Sequence, residues 1–176
     1  MLNAEPAKPK GNDFSALAEQ LPTPTQQTGA HATMIAGIGG TGVITVGAVL
    51  ARAAYLDGLV SSTYDMTGLA QKNGAVFSHL RIAPDKSELG PQRVGAGEAD
   101  LVLAFDLLAS LQGDVSSAIH HGHTKLVGNA DIAVTSFFQM DRTDAGRPNQ
   151  HIVNQKLIDA TGEEARPFVK ALCLLP

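Results

Sequence analysis

The chain has 176 residues, enough for one domain with its own core and too few for two ordinary domains. Its formal charge of −4, without a basic run, argues against a nucleic-acid partner, and its single cysteine excludes an internal disulfide or an iron–sulfur cluster held by this chain alone. We expect a soluble, cytoplasmic protein, because neither a secretory signal nor a run of about 20 apolar residues is present.

Residues 1–30 are rich in Pro, Gly and polar residues, which is typical of a flexible linker or N-terminal extension. The apolar run "ATMIAGIG" then predicts a first strand. From Val43 the apolar residues take helical spacing, and Gly58 offers a left-handed position at which this helix ends.

The rest of the chain continues to alternate between the two periods. We predict strands in "LVSSTYDM", "AVFSHLRIA", "GEADLVLAFD" and "TKLVGNADIA", and helices in "LLASLQGDVSSAIHH" and "NQHIVNQKLIDATG". This order predicts an α/β fold with a Rossmann-like, doubly wound and mainly parallel sheet in a single domain, residues 31–176. The pattern weakens after residue 136, so we expect the C-terminal part of the domain to be truncated.

A glycine turn joins the first predicted strand to the first predicted helix. Gly37, Gly39 and Gly42 have the spacing G-x-G-x-x-G, in which the glycines allow a sharp turn, approach of a ligand and close helix packing. Asp65, at the end of the second strand, stands where a ribose-binding carboxylate would be expected. The pattern fits a nicotinamide or flavin site, and it equally fits a tight strand–helix junction without a ligand.

Three blocks in order give a more specific signal. They are "GIGGTGVITVGAVLARAA", "YDMTGLAQKNGAVFSHLRI" and "VGAGEADLVLAFD". Together they resemble the gamma domain of the thiamine-diphosphate-dependent 2-oxoacid:ferredoxin oxidoreductases, most closely that of indolepyruvate:ferredoxin oxidoreductase. The family pattern has a GxGGxG turn, a G-x-A-Q-[KR]-x-G loop followed by S-x-x-R, and a strand that ends in Asp.

The resemblance implies a subunit or domain that works only within a complex. Partner subunits would hold thiamine diphosphate, magnesium and [4Fe–4S] clusters, convert a 2-oxoacid to an acyl-CoA and pass electrons to ferredoxin. The isolated chain would be inactive, would have no catalytic or metal-binding residue of its own, and could self-associate through a face meant for a partner. Coenzyme A is a candidate ligand.

Gly39, Gly40 and Thr41 would present backbone amides and a hydroxyl to a phosphate or to a neighbouring domain. On the second loop, Lys72 would pair with a phosphate or carboxylate and Gln71 would hydrogen-bond a ligand, or both would be solvated loop residues. The candidate cofactor-binding residues are Gly37, Gly39, Gly40, Thr41, Gly42, Gln71 and Lys72.

Other polar residues have simpler interpretations. We expect Arg81 to be an exposed residue at a strand end, with an acidic interface partner as the alternative. Asp100 is expected to cap a turn and Asp106 to cap the helix that follows it. Three histidines, His120, His121 and His123, suggest a metal site only weakly, and Tyr64 and Phe77 are expected in the core.

Two other functions therefore compete with the gamma-domain hypothesis. One is a free-standing oxidoreductase that binds NAD or FAD, which would need a catalytic acid or base that we do not find. The other is a non-catalytic interaction domain.

Overall fold

The computed structural model describes residues 28–67, 74–129, 150–162 and 168–169, and every structural statement below concerns these residues. The elements in chain order are β1 (His31–Ile38), α1 (Val43–Leu56), β2 (Val60–Thr67), β3 (Ala75–Ala83), a 3₁₀ turn (Lys86–Glu88), β4 (Leu101–Ala104), α2 (Leu107–Ser110), α3 (Gly113–Ala118), β5 (Lys125–Asn129), α4 (Gln150–Thr161) and β6 (Phe168–Val169).

The described strands form one mixed sheet in the order β2-β3-β1-β4-β5-β6. The strand β3 is antiparallel to both of its neighbours, and the pairs β1–β4, β4–β5 and β5–β6 are parallel. The prediction of a mainly parallel, Rossmann-like sheet is confirmed, with one reversed strand that the sequence pattern did not indicate.

Helices cover both faces of the sheet. The helix α1 packs on β2 and β3, and it does so closely, because a Cβ at Gly47 would lie 2.8 Å from Ser78 Oγ and 3.7 Å from Ile35 Cδ1. The opposite face is covered by α2, α3 and α4, whose buried side chains join those of β1 and β4 in the main core. Its largest fully buried members include Met34, Val102, Leu107, Val115 and Leu157.

The predicted helix after β4 is interrupted. The structure has two short helices, α2 and α3, separated at Leu111 and Gln112, where Gly113 begins the second helix. The predicted strand 5 is observed as Lys125–Asn129, and its predicted continuation lies outside the described residues. Phe77 is buried as expected, whereas Tyr64 lies on the edge strand β2 and is 40% exposed, so its assignment to the core is wrong.

Candidate functional site

The glycine turn lies at the carboxyl end of β1 and leads into the N-terminus of α1. Thr41 closes it: its backbone N–H and its hydroxyl both donate to the carbonyl of Ile38, at 3.0 and 2.7 Å. Gly40 and Gly42 adopt φ values of +94° and +84°, which residues with a Cβ rarely adopt. Because the Thr41 hydroxyl proton is used within the turn, this residue shapes the loop, and the predicted donation to a phosphate must come from elsewhere.

Gly37 serves a different purpose from the sharp turn that the motif predicted. It belongs to β1, opposite Val76 of β3, and its φ is not among the positive values. A Cβ at this position would lie 2.5 Å from Thr41 Oγ1 and 2.7 Å from Val43 Cγ2. Gly37 therefore allows the turn and the first residue of α1 to fold back onto the strand.

Gly39 joins the two sequence motifs. Its N–H donates to the carbonyl of Gly74 at 2.9 Å, and Gly74 is the last residue of the G-x-A-Q-[KR]-x-G loop. The pairing of Ile38 with Ala75 continues this contact into the sheet. Gln71 and Lys72, the candidate residues within that loop, lie outside the described residues.

An open cleft of about 270 Å³ lies beside the turn and the N-terminus of α1. Gly40 and Gly42 line it, as do residues that sequence reasoning missed, which are Ile38, Val43, Ile44, Thr45 and Val76. All five residues lie at a strand end or in the first helical turn, and this position was the one sequence feature that could have identified them. Only the glycines had the unusual residue type that draws attention to a loop.

The walls of this cleft have two characters. The first N–H groups of an α-helix have no partner within the helix, and α1 has neither a side-chain cap at Gly42 nor an acidic residue in its first turn. Those amides favour an anion through hydrogen bonds and the helix dipole. Ile38, Ile44 and Val76 add an apolar wall. The arrangement suits a ligand that combines an anionic group with a carbon-rich part.

The order of the strands separates Asp65 from the glycine turn. In a dinucleotide-binding βαβ unit the first two strands are neighbours. Here β3 lies between β1 and β2, which puts β2 roughly 10 Å from β1 at ordinary strand spacing. Asp65 is exposed on that outer strand. The fold therefore lacks the juxtaposition on which the ribose-binding interpretation depended.

Arg81 is neither exposed nor at a strand end. It lies within β3 with 8% exposure, and its guanidinium is paired with the Glu98 carboxylate. The pKa of Glu98 is lowered by the hydrogen bond from the Gly95 N–H and by this arginine. The pair helps to hold residues 93–98 against β3, so the prediction of an exposed residue at a strand end was wrong. The alternative, an acidic interface partner, stays a prediction.

His79 lies two residues before Arg81 on the same face of β3 and contacts the same segment. Its buried Nδ1 accepts a hydrogen bond from the Val94 N–H at 3.1 Å. Burial, together with the positive charge of Arg93, lowers the pKa of His79. The ring is therefore neutral at pH 7, and Nδ1 must be unprotonated to accept this bond.

Asp100 lies at the opposite end of the sheet, where the parallel strands begin, and connects neighbouring segments there. Its carboxylate accepts from the Ala32 N–H at 2.7 Å and lies 2.7 Å from His123 Nε2. Burial raises the pKa of Asp100, but these hydrogen bonds outweigh burial and the pKa is lowered overall. Within the ranges that the structure describes, no group of three or more His, Cys, Asp or Glu side chains could hold a metal ion.

The prediction for Asp106 is confirmed: its side chain accepts from the Ala109 N–H at 2.8 Å and caps α2. No helix in the described part of the chain is both long and apolar enough to cross a membrane.

Known proteins resemble this chain over much of its length. It is 34% identical over 79 residues to the indolepyruvate oxidoreductase subunit IorB of Archaeoglobus fulgidus, and this match covers 45% of the chain and 37% of the relative. Subunit IorB of Methanothermobacter thermautotrophicus is 32% identical over 78 residues, with 44% of the chain and 38% of the relative covered. The chain therefore spans well under half the length of these curated relatives.

Among solved structures, the chain is similar to 2-oxoglutarate:ferredoxin oxidoreductase from Magnetococcus marinus, a structure with 2-oxoglutarate, coenzyme A and succinyl-CoA bound. The TM-score is 0.49 at 26% identity, over 58% of this chain and 17% of that one. A model of the pyruvate ferredoxin/flavodoxin oxidoreductase family matches residues 32–166, which include the glycine turn, the second loop and the strand ending before Asp106. The chain belongs to the pyruvate ferredoxin/flavodoxin oxidoreductase family.

Proposed function

We propose that this chain is the gamma-type part of a thiamine-diphosphate-dependent 2-oxoacid:ferredoxin oxidoreductase, with indolepyruvate or another arylpyruvate as the 2-oxoacid. The complex would decarboxylate the 2-oxoacid oxidatively, form an acyl-CoA and pass electrons to ferredoxin. Family membership over residues 32–166 and the two IorB relatives support this assignment. In this proposal residues 31–176 form the gamma-type domain, residues 1–30 link it to another part, and the complex is cytoplasmic.

The redox and thiamine cofactors would belong to partner subunits. A [4Fe–4S] cluster is held by four cysteine thiolates, and this sequence has one cysteine. Thiamine diphosphate and magnesium likewise find no donor set in the motifs of this chain. We therefore propose that the chain alone is inactive and acts by completing the assembly around the active site.

The contribution of this chain would be made at the cleft beside the glycine turn. We propose that the amides of Gly40, Gly42 and the first turn of α1 receive a phosphate of coenzyme A, while the apolar wall contacts the carbon-rich part of the same molecule. Gly37, Gly39 and Thr41 would shape the turn. Gln71 and Lys72 would reach the ligand from the second loop.

One observation carries this assignment of roles. The hydrogen bond between the Gly39 N–H and the Gly74 carbonyl brings the ends of both family motifs to one edge of the sheet. In open α/β sheets, ligands bind at the carboxyl ends of the parallel strands, and the cleft lies at that edge. Lys72 precedes Gly74 by only two residues in the sequence, which supports a role for this lysine beside the amides that favour an anion.

The test is reconstitution under anaerobic conditions. The chain is co-expressed with the thiamine and iron–sulfur subunits of its own organism, and the purified complex is assayed for coenzyme-A-dependent reduction of a viologen dye. Indolepyruvate, pyruvate and 2-oxoglutarate are compared as substrates. We expect activity only with the chain present, and the highest kcat/KM with indolepyruvate.

A matched pair of lysine variants tests the ligand role. Lys72→Ala should raise the KM for coenzyme A about tenfold with little change in kcat, since a lost charge-assisted hydrogen bond is worth roughly 1.5–3 kcal/mol. Lys86→Ala removes the same charge in the 3₁₀ turn that follows the far end of β3 and should leave both constants unchanged. Equal effects of the two variants would refute the coenzyme A role. Binding of NAD or FAD by the free chain, with no activity in the complex, would refute the proposed function.

A further inference from the structure

The strand β2 forms one edge of the described sheet, and it is unprotected. In the residues that the structure describes, no strand pairs with its outer side. Natural edge strands are usually short, bulged, covered by a helix or loop, or marked by Pro or charged side chains, most often Lys; in β2 the one charged residue is Asp65. Here the strand has eight residues, contains no Pro, Lys or Arg, and pairs with β3 without a bulge from Val60 to Thr67. Its outer backbone groups are a template for a further strand.

An apolar stripe on α1 runs beside this edge. Ser61 of β2 donates from its hydroxyl to the carbonyl of Ala51, which fixes the side of the helix that faces β2. Residues three, four and seven positions from Ala51 share its side of the helix. They are Ala48, Tyr55 and Ile44, and all three are exposed, Tyr55 by 65%.

Opposite charges flank the stripe at its two ends. Asp65 is paired in register with Ser78, the residue beneath Gly47, so its side chain lies on the face of the sheet that α1 covers. It stands near the carboxyl end of β2. Arg52 lies near the other end, where its guanidinium stacks 4.8 Å above the Tyr55 ring.

We propose that β2 is a dimerisation edge, at which two copies of this chain pair their β2 strands antiparallel about a twofold axis normal to the sheet. With Thr63 opposite its symmetry mate, Asp65 of one copy lies opposite Ser61 of the other. The Ser61 hydroxyl contacts the turn of α1 that holds Arg52 and Tyr55. Each interface then contains two Asp65–Arg52 pairs.

The spacing of the layers fits this arrangement. Neighbouring strands are about 4.8 Å apart, and α1 packs mainly on β2 and β3. The axis of α1, placed midway between β2 and β3, then lies about 5 Å from the midline between the two paired β2 strands. The two copies of α1 would therefore be about 10 Å apart, close to the usual distance of packed helices, with their apolar stripes facing each other.

The occupant is a second copy because the edge is complementary to itself. Strand pairing needs an extended partner with few charges, and the twofold axis brings the one acidic residue of β2 to the basic end of the α1 stripe. A twofold axis normal to the sheet also places both helices on one face, where each stripe covers the other.

Charge exchange is the first test, made on the full chain by sedimentation velocity from about 1 to 100 μM. Asp65→Arg and Arg52→Asp each place like charges at two symmetric positions, and each should raise the dimer dissociation constant about tenfold or more. The double variant restores opposite charges and should recover most of the affinity. A double variant as weak as the worse single variant would overturn the proposed pairing.

A second pair of variants tests the apolar stripe with a matched control. Tyr55→Asp takes a carboxylate into the interface and should abolish the dimer in this concentration range. Ala53→Asp introduces the same charge at an exposed position two residues from Ala51, on the side of α1 opposite to the stripe, and should leave the dimer intact. Circular dichroism confirms that both variants are folded.

Hydrogen exchange distinguishes strand pairing from other contacts. The β2 amides that point outward should become protected as the concentration rises, and Tyr55→Asp should remove that protection. Three results would overturn the proposal: a monomer at 100 μM, a dimer disrupted by Ala53→Asp instead, or β2 protection that is independent of concentration and disappears on deletion of residues 1–27. The assay contains this chain alone, so its result does not depend on the partner subunits proposed above.

Discussion

Replacement of Gly37 by Ala should destabilise the protein by roughly 2–3 kcal/mol, because the new Cβ has no room. It would lie 2.5 Å from Thr41 Oγ1 and 2.7 Å from Val43 Cγ2, both shorter than real contacts allow. If Thr41 rotates away, its hydroxyl loses the bond to the Ile38 carbonyl, worth about 1 kcal/mol. Val43 is buried at the start of α1, so the helix itself must shift, and such overpacking costs about 1–3 kcal/mol.

A smaller effect opposes these terms. Alanine restricts the unfolded chain more than glycine does, which stabilises the folded state by about 0.4–1 kcal/mol. The net loss should lower the melting temperature by roughly 5–10 °C in a chain of this length. Urea denaturation followed by circular dichroism measures the free energy of unfolding directly.

Gly39→Ala is the control in the same loop. Among the residues that the structure describes, its new Cβ would come within 4 Å of the Gly74 carbonyl oxygen alone, at 3.8 Å, an ordinary contact. Its free energy of unfolding should remain within about 0.5 kcal/mol of the unchanged protein. The packing argument for the motif fails if Gly37→Ala is equally harmless, or if the two variants lose the same amount.

Three further predictions concern side chains whose hydrogen bonds hold the strands and helices in place. Because the pKa of His79 is lowered in the folded state, the contribution of this residue to stability should be full above pH 6.5 and fall as the pH drops below it. His79→Asn keeps an oxygen that can accept the Val94 hydrogen bond. This variant should abolish the dependence of the unfolding free energy on pH in urea titrations at pH 5.5–7.5. The pKa of Asp100 is lowered, so its contribution to the stability of the fold should disappear only below about pH 4. Asp100→Ala should remove that acid transition and should make the first amides of β1 exchange hydrogen faster. Asp106→Ala should cost about 0.5–2 kcal/mol in urea denaturation through loss of the α2 cap, whereas Asp57→Ala, at an end without such a bond, should cost less.

The sequence predicted the local elements well, since each rests on contacts between nearby residues. The period of the apolar residues changes at Val43 as the strand gives way to the helix, and Gly58 ends the helix with φ +79°. The split between α2 and α3 was missed because the amphipathic pattern continues across Gln112 and gives no sign of a break. Gly113 is a weak sign by itself, since isolated glycines are tolerated within helices.

The arrangement of these elements was harder to predict. Consecutive strands in α/β proteins are commonly parallel neighbours, which by itself would favour β2 beside β1. The reversed β3 takes that place because its alternating side chains bury one row against β1 on each face, for example Phe77 on one and Leu80 on the other. Such pairing depends on residues about 45 positions apart, and periodicity within either strand does not reveal it.

The burial of Arg81 was not predicted from the sequence. A lone arginine near the end of an apolar run is usually exposed, because burying an unpaired guanidinium is costly. In the structure Glu98, 17 residues away, supplies the compensating charge across the segment that covers β3. Neither residue alone signals the pair, and a salt bridge between distant segments becomes visible only once the fold brings them together.

The reversed strand also explains how the ends of the two family motifs come to lie side by side. In the observed strand order, β3 separates β1 from β2. Because β3 runs back between them, its first residues must leave the carboxyl edge of the sheet beside β1, and Gly74 bonds to Gly39. The antiparallel strand thus brings Gly74, where the second motif ends, next to the glycine turn. The same insertion displaces β2 to the edge, so one topological feature accounts both for the cleft and for the strand that we propose as the dimer interface.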